Sequence, residues 1–267
     1  MELPGQLGVL LAATSLRVLR HGPQSGAFNM AVDEALHDSA RTGQVTLRFY
    51  AWRPACLSLG RNQTARGRYR EDEALRRGID IVRRPTGGRA VYHDRELTYS
   101  VTAPADLWGP LPDSYRRINR ALSAGLIALG VPASLAPSTI SAPRPTTRAC
   151  FRDPLEGEIV AGGAKLVGSA QWRSKGALLQ HGSLLLHDDQ DVADELHVSS
   201  SPAIRAASLT DFLGQVPPTT EIADNLSQAF GHEFGMAVSD ECLTTGERET
   251  AVRLEAKYLS PDWTWRR

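Results

Sequence analysis

The alternation of apolar and polar residues changes period several times along the chain, which predicts a mixture of helices and strands. Over residues 25–41 apolar side chains recur three and four positions apart, as on one side of a helix. The acidic residues of this segment fall on the opposite side, so an amphipathic helix is predicted there. The apolar stripe contains Met30, Ala31, Ala35 and Leu36, and the acidic side contains Asp33, Glu34 and Asp38.

Strand patterns and helical patterns alternate through most of the remaining sequence. The strand patterns are short and end at glycine or proline, whereas the helical patterns are longer and amphipathic. Residues 135–148 are rich in Pro, Ser and Thr and are predicted to form a loop. The pattern indicates a mixed α/β (α+β) fold with mixed β-sheets flanked by helices. Strands are predicted over residues 45–50, 56–60, 79–83, 90–93, 97–102, 158–160, 164–172 and 177–186, and further helices over 71–77, 114–129, 219–230 and 246–258.

Segment composition predicts one domain over residues 16–267, because no linker separates its helical C-terminal part, about 200–267, from the rest. Residues 1–15 are predicted to be a loose N-terminal extension. The apolar run at residues 7–13 is short and has no basic residue before it, unlike a secretory signal or a membrane span. A cytoplasmic protein is therefore expected, with a monomer as the default state.

Composition narrows the classes of partner. The chain of 267 residues carries 30 basic and 30 acidic residues, so its formal net charge is zero. Bulk electrostatics therefore gives no reason to expect binding to nucleic acid or to an anionic membrane. The three cysteines, Cys56, Cys150 and Cys242, are far apart and lack the spacing of metal ligands. They fit a reducing compartment rather than a disulfide framework, and no metal site is predicted.

A glycine–arginine segment, residues 83–94, is the first candidate for a binding site. Gly87 and Gly88 stand between two predicted strands, where their backbone can approach a ligand closely and present N–H groups to an anion or a carbonyl. Arg84 and Arg89 beside them suit a phosphate, as in phosphopantetheine or a nucleotide. The alternative is a glycine turn with solvated arginines.

Lys165 and Cys150 are the candidates for chemistry. Lys165 stands among small residues on a predicted strand, where desolvation lowers the pKa of an ammonium group. The alternative is a lysine in water at a hairpin, the commoner fate of this residue. Cys150 follows the predicted loop, and a hairpin that brought it to Lys165 would favour the reactive thiolate. Cys56 lies in an apolar strand pattern and Cys242 in a polar tail, so both are interpreted as structural.

Five segments together resemble the biotin/lipoate protein ligase catalytic-domain superfamily, and within it the LipM octanoyltransferase branch. The match covers most of residues 16–190 in order, and it implies a biotin/lipoate protein ligase-type catalytic fold. The segments are Ala27–Ala35, Trp52–Gln63, Arg83–Asp94, Lys165–Gln171 and Leu178–Leu186.

The resemblance also implies a reaction. Lipoate–protein ligases carry a third glycine before Ala90, where this chain has Arg89 in the manner of the octanoyltransferase branch. That branch carries the acyl group on a cysteine ahead of the lysine motif, and Cys150 stands in the matching place. The implied donor is octanoyl–acyl carrier protein, and the implied acceptor is a lysine of glycine cleavage H protein or of a lipoyl domain, with no cofactor. The segment between Cys150 and Lys165 follows the family pattern only loosely.

Other readings stay open at this point. An ATP-dependent lipoate–protein ligase would use ATP and Mg and would not need Cys150, and an amidotransferase would take octanoyl from another lipoyl-accepting protein. A non-catalytic relative that binds acylated carriers is a further alternative. His93 and His181 are interpreted as shaping the pocket or as structural histidines, and backbone N–H groups near Gly168, Ser169 or Gly182 as oxyanion donors. The predicted substrate-binding residues are Arg84, Gly87, Gly88, Arg89, Ala90, Val91, Tyr92, His93, Gly168, Ser169, His181 and Gly182.

Overall fold

A long mixed sheet and a short second sheet contain the strands of the structure, a computed structural model that describes residues 15–137, 154–199 and 205–267. The long sheet has eight strands in the order β11-β1-β2-β6-β10-β9-β8-β7, and the short one has three in the order β4-β3-β5. The strands are β1 Ser15–Arg20, β2 Thr46–Tyr50, β3 Cys56–Leu59, β4 Asp80–Arg83, β5 Val91–His93, β6 Glu96–Pro104, β7 Ala133–Leu135, β8 Ile159–Ala161, β9 Ala164–Ser174, β10 Ala177–Leu185 and β11 Ala237–Glu241.

Helices cover the sheets, and local sequence signals set several of their ends. The Ser25 side chain accepts the N–H of Phe28 at the start of α1, and Thr244 and Glu247 form a capping box at the start of α6. Gly235 ends α5 in the left-handed conformation that favours glycine. The helices are α1 Gly26–Ala40, α2 Glu71–Arg76, α3 Leu111–Ala128, α4 Asp191–Glu195, α5 Thr219–Phe234, α6 Thr245–Leu259 and α7 Pro261–Thr264, with a 3-10 turn at Leu209–Asp211.

Strand β10 lies between β6 and β9 and pairs antiparallel with both. In this register His181 lies opposite Ser100 on one side and Ala170 on the other, and Gly182 lies opposite Tyr99 and Ser169. Because successive side chains of a strand point to opposite faces, His181 and its neighbours share one face of the sheet. The next residue, Gly182, belongs to the other face.

The two faces of the long sheet pack against different helices. One apolar cluster joins strand residues such as Val101 to α3 and α5, for example to Leu126 and Phe230. A second cluster surrounds α1 and joins it to α6, with Ala251 and Tyr258 at that contact. Helix α1 therefore lies inside the molecule, between the long sheet, the short sheet and α6, and most of its surface is buried.

A close backbone approach fixes the glycine–arginine segment against the short sheet. A Cβ atom on Gly60, just after β3, would lie 2.0 Å from the carbonyl oxygen of Gly88. Gly88 itself has φ +91°, which side chains other than glycine rarely adopt. Only glycines allow this crossing, so the segment's path is set where β3 ends.

The predicted fold class is confirmed, and each predicted strand and helix lies within a few residues of an observed one. The prediction of an acidic outer face on α1 is wrong for Asp33, which is fully buried because partners on other strands surround its carboxylate. The unpredicted elements are strands β1, β7 and β11, the short helices α4 and α7 and the 3-10 turn. Strand β11 is a mostly exposed, polar edge strand, so its sequence lacks an apolar alternation.

Two predictions fall mainly outside the described residues. Of the predicted extension only residue 15 is described, and it begins β1. Of the predicted loop at residues 135–148, only 135–137 are described, and residue 135 ends β7. In the described parts of the chain, no helix is long and apolar enough to cross a membrane.

Candidate active site

A cavity lies where helix α1, strands β9 and β10 and the short sheet meet. Its wall combines apolar side chains with hydroxyl, imidazole and guanidinium groups. The predicted substrate-binding residues that line it are Arg84, Val91, His93, Gly168, Ser169, His181 and Gly182. The remaining lining residues, for which no role is predicted, are Met30, Tyr50, Trp52, Ser58, Thr98, Ala170 and Ser183.

The other predicted residues of the glycine–arginine segment lie outside this lining. Strand β5 alternates, so Val91 and His93 face the cavity while Tyr92 points the other way. Tyr92 packs with the buried side chains of the short sheet, and its main chain exchanges hydrogen bonds with the Gln190 amide. The predicted residues outside the lining are Gly87, Gly88, Arg89, Ala90 and Tyr92.

Asp33 on α1 forms the polar centre beneath the cavity. Its carboxylate accepts hydrogen bonds from Arg48 Nη1 at 2.7 Å, Tyr50 Oη at 2.9 Å and Ser100 Oγ at 2.8 Å. Asp33 and Arg48 are both fully buried. Burial alone raises the pKa of Asp33, but the charge of Arg48 and the hydrogen bond from His181 outweigh it, so the pKa lies below its usual value. Asp33 is therefore a carboxylate at neutral pH.

His181 connects this carboxylate to the glycine–arginine segment. Its Nδ1 lies 2.9 Å from Asp33 Oδ2, and its Nε2 lies 2.6 Å from Thr86 Oγ1. Burial lowers the pKa of His181, and the interaction with Asp33 only partly offsets that effect. The ring is therefore neutral at pH 7. Since a carboxylate only accepts, Nδ1 carries the proton and Nε2 accepts the Thr86 hydroxyl.

His93 is the centre of a second buried polar cluster. Its Nε2 lies 2.7 Å from Ser58 Oγ, and its Nδ1 lies 2.8 Å from Glu96 Oε1. Trp52 stacks on the imidazole with ring centroids 4.1 Å apart and donates its indole N–H to Thr98 Oγ1 at 2.7 Å. The two histidines thus stand on different strands of the cavity wall, each held by hydrogen bonds at both nitrogens.

Arg84 holds the turn that contains the glycines. Its guanidinium donates to the carbonyl oxygens of Ser58 at 2.9 Å, Gly87 at 2.8 Å and Arg89 at 2.7 Å. The side chain is also buried, so the alternative of a solvated arginine at this position is wrong. Arg84 therefore lines the cavity and fixes the backbone of the segment at the same time.

Lys165 is buried on β9 beside the carboxylate of Glu158. Its side chain is 1% exposed, and Nζ lies 2.8 Å from Glu158 Oε1. The alternative of a hairpin lysine in water is therefore wrong. Glu158, which was not predicted, immediately precedes β8, whose residue Val160 pairs with Lys165. Cys150, the predicted nucleophile, lies outside the described residues.

The backbone of β9 beside the cavity is partly free of strand partners. Strand β8 pairs with β9 only as far as Val167, whereas β10 continues along its other edge. From Gly168 onward, one edge of β9 therefore has no strand partner in the described parts of the chain. Gly182 opposite is crowded, because a Cβ there would lie 2.5 Å from the oxygen of Gly168 and 2.8 Å from Ser169 Oγ.

The remaining cysteines have different environments. Cys56 is completely buried in β3, and burial raises the pKa of its thiol well above the usual value. Cys242 is exposed. The buried position of Cys56 agrees with the structural interpretation, because a protonated thiol is a poor nucleophile.

Two sheets flanked by helices, with a cavity walled in part by the glycine–arginine segment, form the biotin/lipoate protein ligase-type fold that the sequence implied. The chain belongs to the family described as the lipoyl protein ligase A/B catalytic domain, which matches residues 25–231. The resemblance found in the five sequence segments is therefore confirmed.

Related proteins and solved structures match this chain along nearly its whole length. Octanoyltransferase LipM of Kyrpidia tusciae is 42% identical over 94% of this chain and 98% of that protein. Octanoyltransferase LipM of Moorella thermoacetica is 39% identical over 96% and 100%, respectively. The crystal structure of a lipoate-protein ligase A bound with ATP has a TM-score of 0.79 at 28% identity, covering 95% of this chain and 98% of that one.

Replacing Asp33 with Asn tests the buried centre. The variant leaves Arg48 without its counter-charge, so we expect the free energy of unfolding to fall by about 3–5 kcal/mol. Asp38→Asn on the same helix is the control, because that carboxylate is 41% exposed and lies 3.9 Å from its nearest ion-pair partner, His37. The control should change stability by less than about 0.5 kcal/mol. Urea denaturation at pH 7 measures both, and equal effects would contradict a buried ion pair.

Proposed function

We propose that this acyltransferase is an octanoyltransferase of lipoate biosynthesis, which moves octanoyl from an acyl carrier protein to a lysine of a lipoyl-accepting protein through a thioester on Cys150. The observation that carries the proposal is the match to octanoyltransferases over nearly the full length of both chains. The buried Lys165–Glu158 pair supports the proposal, as does the cavity, which later residues of the same strand line.

The first step forms the acyl-enzyme. The Cys150 thiolate attacks the thioester carbonyl of octanoyl–acyl carrier protein, the new carbon–sulfur bond forms and the old one breaks. The departing phosphopantetheine sulfur takes a proton from the Lys165 ammonium. Glu158 accepts a hydrogen bond from that ammonium and fixes its position in a place without solvent.

The second step delivers the acyl group. The ε-amine of the acceptor lysine attacks the Cys150 thioester, an amide bond forms, and the Cys150 thiolate leaves. The proton lost by the amine returns to Lys165, which restores the starting state. Backbone N–H groups on the free edge of β9, near Gly168 and Ser169, are the candidates for stabilising the oxyanion in both steps.

The cavity is the proposed site of the acyl chain. Met30 and Val91 give it apolar surface, and Trp52 stacked on His93 forms part of its wall. Each buried CH₂ contributes about 0.8 kcal/mol, so a change of two carbons alters binding by about 1.6 kcal/mol where the cavity fits the chain. This is enough to prefer one chain length over its neighbours.

The acceptor and the conditions of the reaction complete the proposal. The enzyme acts on lipoyl-accepting proteins, and glycine cleavage H protein or a dehydrogenase lipoyl domain is the proposed acceptor. The thioester donor is already activated, so the proposed reaction uses no cofactor. We place it in the cytoplasm and propose a monomer.

A lipoate–protein ligase is the second candidate, since a solved ligase bound with ATP shares the fold. It would bind ATP and Mg near the glycine–arginine segment. Against it stand Arg89 in place of the third glycine and the commitment of three Arg84 hydrogen bonds to main-chain carbonyls. An amidotransferase would use the same cysteine chemistry with a lipoyl-accepting protein as donor.

The acyl-enzyme is the direct test. Wild-type protein incubated with octanoyl–acyl carrier protein without ATP should gain the mass of one octanoyl group, removable by hydroxylamine. Cys150→Ala should gain none. Cys242→Ala is the matched control, because it removes an exposed thiol and should be acylated like wild type.

Other outcomes of this test would contradict the proposal. Acylation of Cys150→Ala would exclude the thioester at that residue. An unmodified wild type would exclude the carrier protein as donor, and modification of the acceptor that depends on free lipoate and ATP would establish the ligase instead.

Lys165→Gln tests the proton transfers. The amide keeps N–H groups for Glu158 but leaves that buried carboxylate without its counter-charge, so we expect the free energy of unfolding to fall by about 3–5 kcal/mol. The amide cannot give up or take a proton. We expect the acylation rate of Cys150 to fall by about 100-fold or more. Single-turnover mass spectrometry measures the rate, and the urea midpoint monitors the fold. A rate within a factor of two of wild type would exclude Lys165 as the proton donor.

A further inference from the structure

A cluster of arginines lies beside the cavity, on the outer side of the glycine–arginine segment. Arg61 follows β3, and its main-chain N–H donates to the main-chain carbonyl oxygen of Thr86 at 2.7 Å. Arg66 and the last two residues of the chain, Arg266 and Arg267, lie next to it. The name arginine cluster is used below for Arg61, Arg66, Arg266 and Arg267.

Hydrogen bonds hold the C-terminal residues against the 61–66 segment. The main-chain N–H groups of Ala65 and Arg66 donate to the Arg267 oxygen at 2.9 and 2.8 Å. Arg266 Nη2 donates to the Arg61 oxygen at 2.6 Å, and the Arg266 guanidinium stacks over the Trp263 ring at 4.0 Å. The cluster is thus assembled from two distant parts of the chain rather than from neighbours in sequence.

Within residues 15–137, 154–199 and 205–267, no acidic side chain neutralises the cluster. In the described residues, none of its four guanidinium groups forms an ion pair with Asp or Glu. Burial and the neighbouring charges of Arg61 and Arg267 lower the pKa of Arg266. Guanidinium groups held together with no acidic side chain paired to them in the described residues repel one another, which is typical of sites that receive an anion.

A buried arginine beneath the cluster adds an independent observation. Arg83 is fully buried, and its Nη1 and Nε donate to main-chain oxygens including those of Gly60 and Thr264. Its Nη2 is also buried and has no hydrogen-bond partner among the described residues. Burial and the charges of Arg266, Arg84 and Arg267 lower the pKa of Arg83 to about 10. Buried donors in native proteins nearly always have an acceptor, so this donor next to the 61–66 segment is unusual in lacking one among the described residues.

The position of Arg61 connects the cluster to the cavity. Its guanidinium lies over the Trp172 ring, 5.1 Å from the centroid. Trp172 is two residues from the cavity residue Ala170 on the same face of β9, about 7 Å along the strand. An anion bound at the cluster would therefore stand just outside the cavity that is proposed to hold the acyl chain.

We infer that the arginine cluster binds the phosphodiester of the phosphopantetheine arm that carries the acyl group. The inference rests on the proposed function, which makes a phosphopantetheinylated carrier protein the donor. A phosphodiester at one end of the arm and a thioester at the other match a cationic site placed next to an apolar cavity. Planar guanidinium groups bind phosphate oxygens through paired hydrogen bonds, which suits arginine rather than lysine here.

Binding of unacylated carrier protein tests this inference without any acyl transfer. The probes are the holo-carrier, which bears phosphopantetheine, and the apo-carrier, which lacks it. The variant Arg61→Gln/Arg266→Gln removes two charges from the cluster, and Arg41→Gln/Arg253→Gln removes two exposed charges elsewhere as the control. The dissociation constant is measured by titration calorimetry at low and at physiological salt.

The cluster variant should bind the holo-carrier about tenfold more weakly or worse, because charge-assisted hydrogen bonds are lost. The control should bind like wild type, and the apo-carrier should bind wild type more weakly than the holo-carrier does. Added salt should weaken wild-type binding more than binding by the cluster variant. Equal binding of holo- and apo-carrier to wild type, or an unaffected cluster variant, would overturn the inference.

ATP serves as the competing anion. If inorganic phosphate and ATP each displace only a small and similar fraction of the holo-carrier, the result supports a phosphodiester site. Tight ATP binding that the cluster variant loses, with holo-carrier binding unchanged, would assign the cluster to a nucleotide and overturn the inference. Intact carrier binding without formation of the acyl-enzyme would contradict the proposed function alone.

Discussion

Asp33 and Arg48 form an ion pair with no solvent exposure where helix α1 meets strand β2. Removing two charges from water is costly, and it is tolerated only where further hydrogen bonds satisfy both groups. Tyr50, Ser100 and His181 supply those bonds to the carboxylate. These partners come from β2, β6 and β10, so the pair holds the helix in one position against three neighbouring strands.

The cavity depends on this position. His181 forms hydrogen bonds to both the Asp33 carboxylate and the Thr86 hydroxyl. Thr86 belongs to the glycine–arginine segment, whose main-chain oxygens accept hydrogen bonds from the Arg84 guanidinium. Helix, sheet and glycine–arginine segment are therefore joined through one histidine, and the space between them is the cavity. The close crossing of Gly60 and Gly88 sets the segment's path from the other side. The inner side of this segment lines the cavity, and its outer side lies next to the arginine cluster.

The sequence allowed prediction of the mixed α/β fold, most strands and helices, and several cavity residues, because those depend on local periodicity and on contiguous motifs. It placed Asp33 on an outer face, since a helical pattern assigns acidic residues to solvent unless a buried partner is known. Glu158 and Glu96 were missed for the same reason, as each acts through a residue on another strand. The predicted hairpin of residues 158–160 and 164–172 was the signal that could have revealed Glu158, because antiparallel pairing of these strands brings it towards Lys165. The arginine cluster could not be predicted, because its two parts, at residues 61–66 and 266–267, lie about 200 positions apart in the sequence.

The central claim is that a neutral His181 connects Asp33 to the glycine–arginine segment. The most direct test is ¹⁵N NMR of the imidazole nitrogens between pH 5 and 8. A His181→Gln variant assigns the signals. The account predicts a neutral ring throughout most of this range, protonated at Nδ1, because burial lowers its pKa below the usual value. A ring that titrates near the value of a free histidine, or that carries its proton at Nε2, would contradict it.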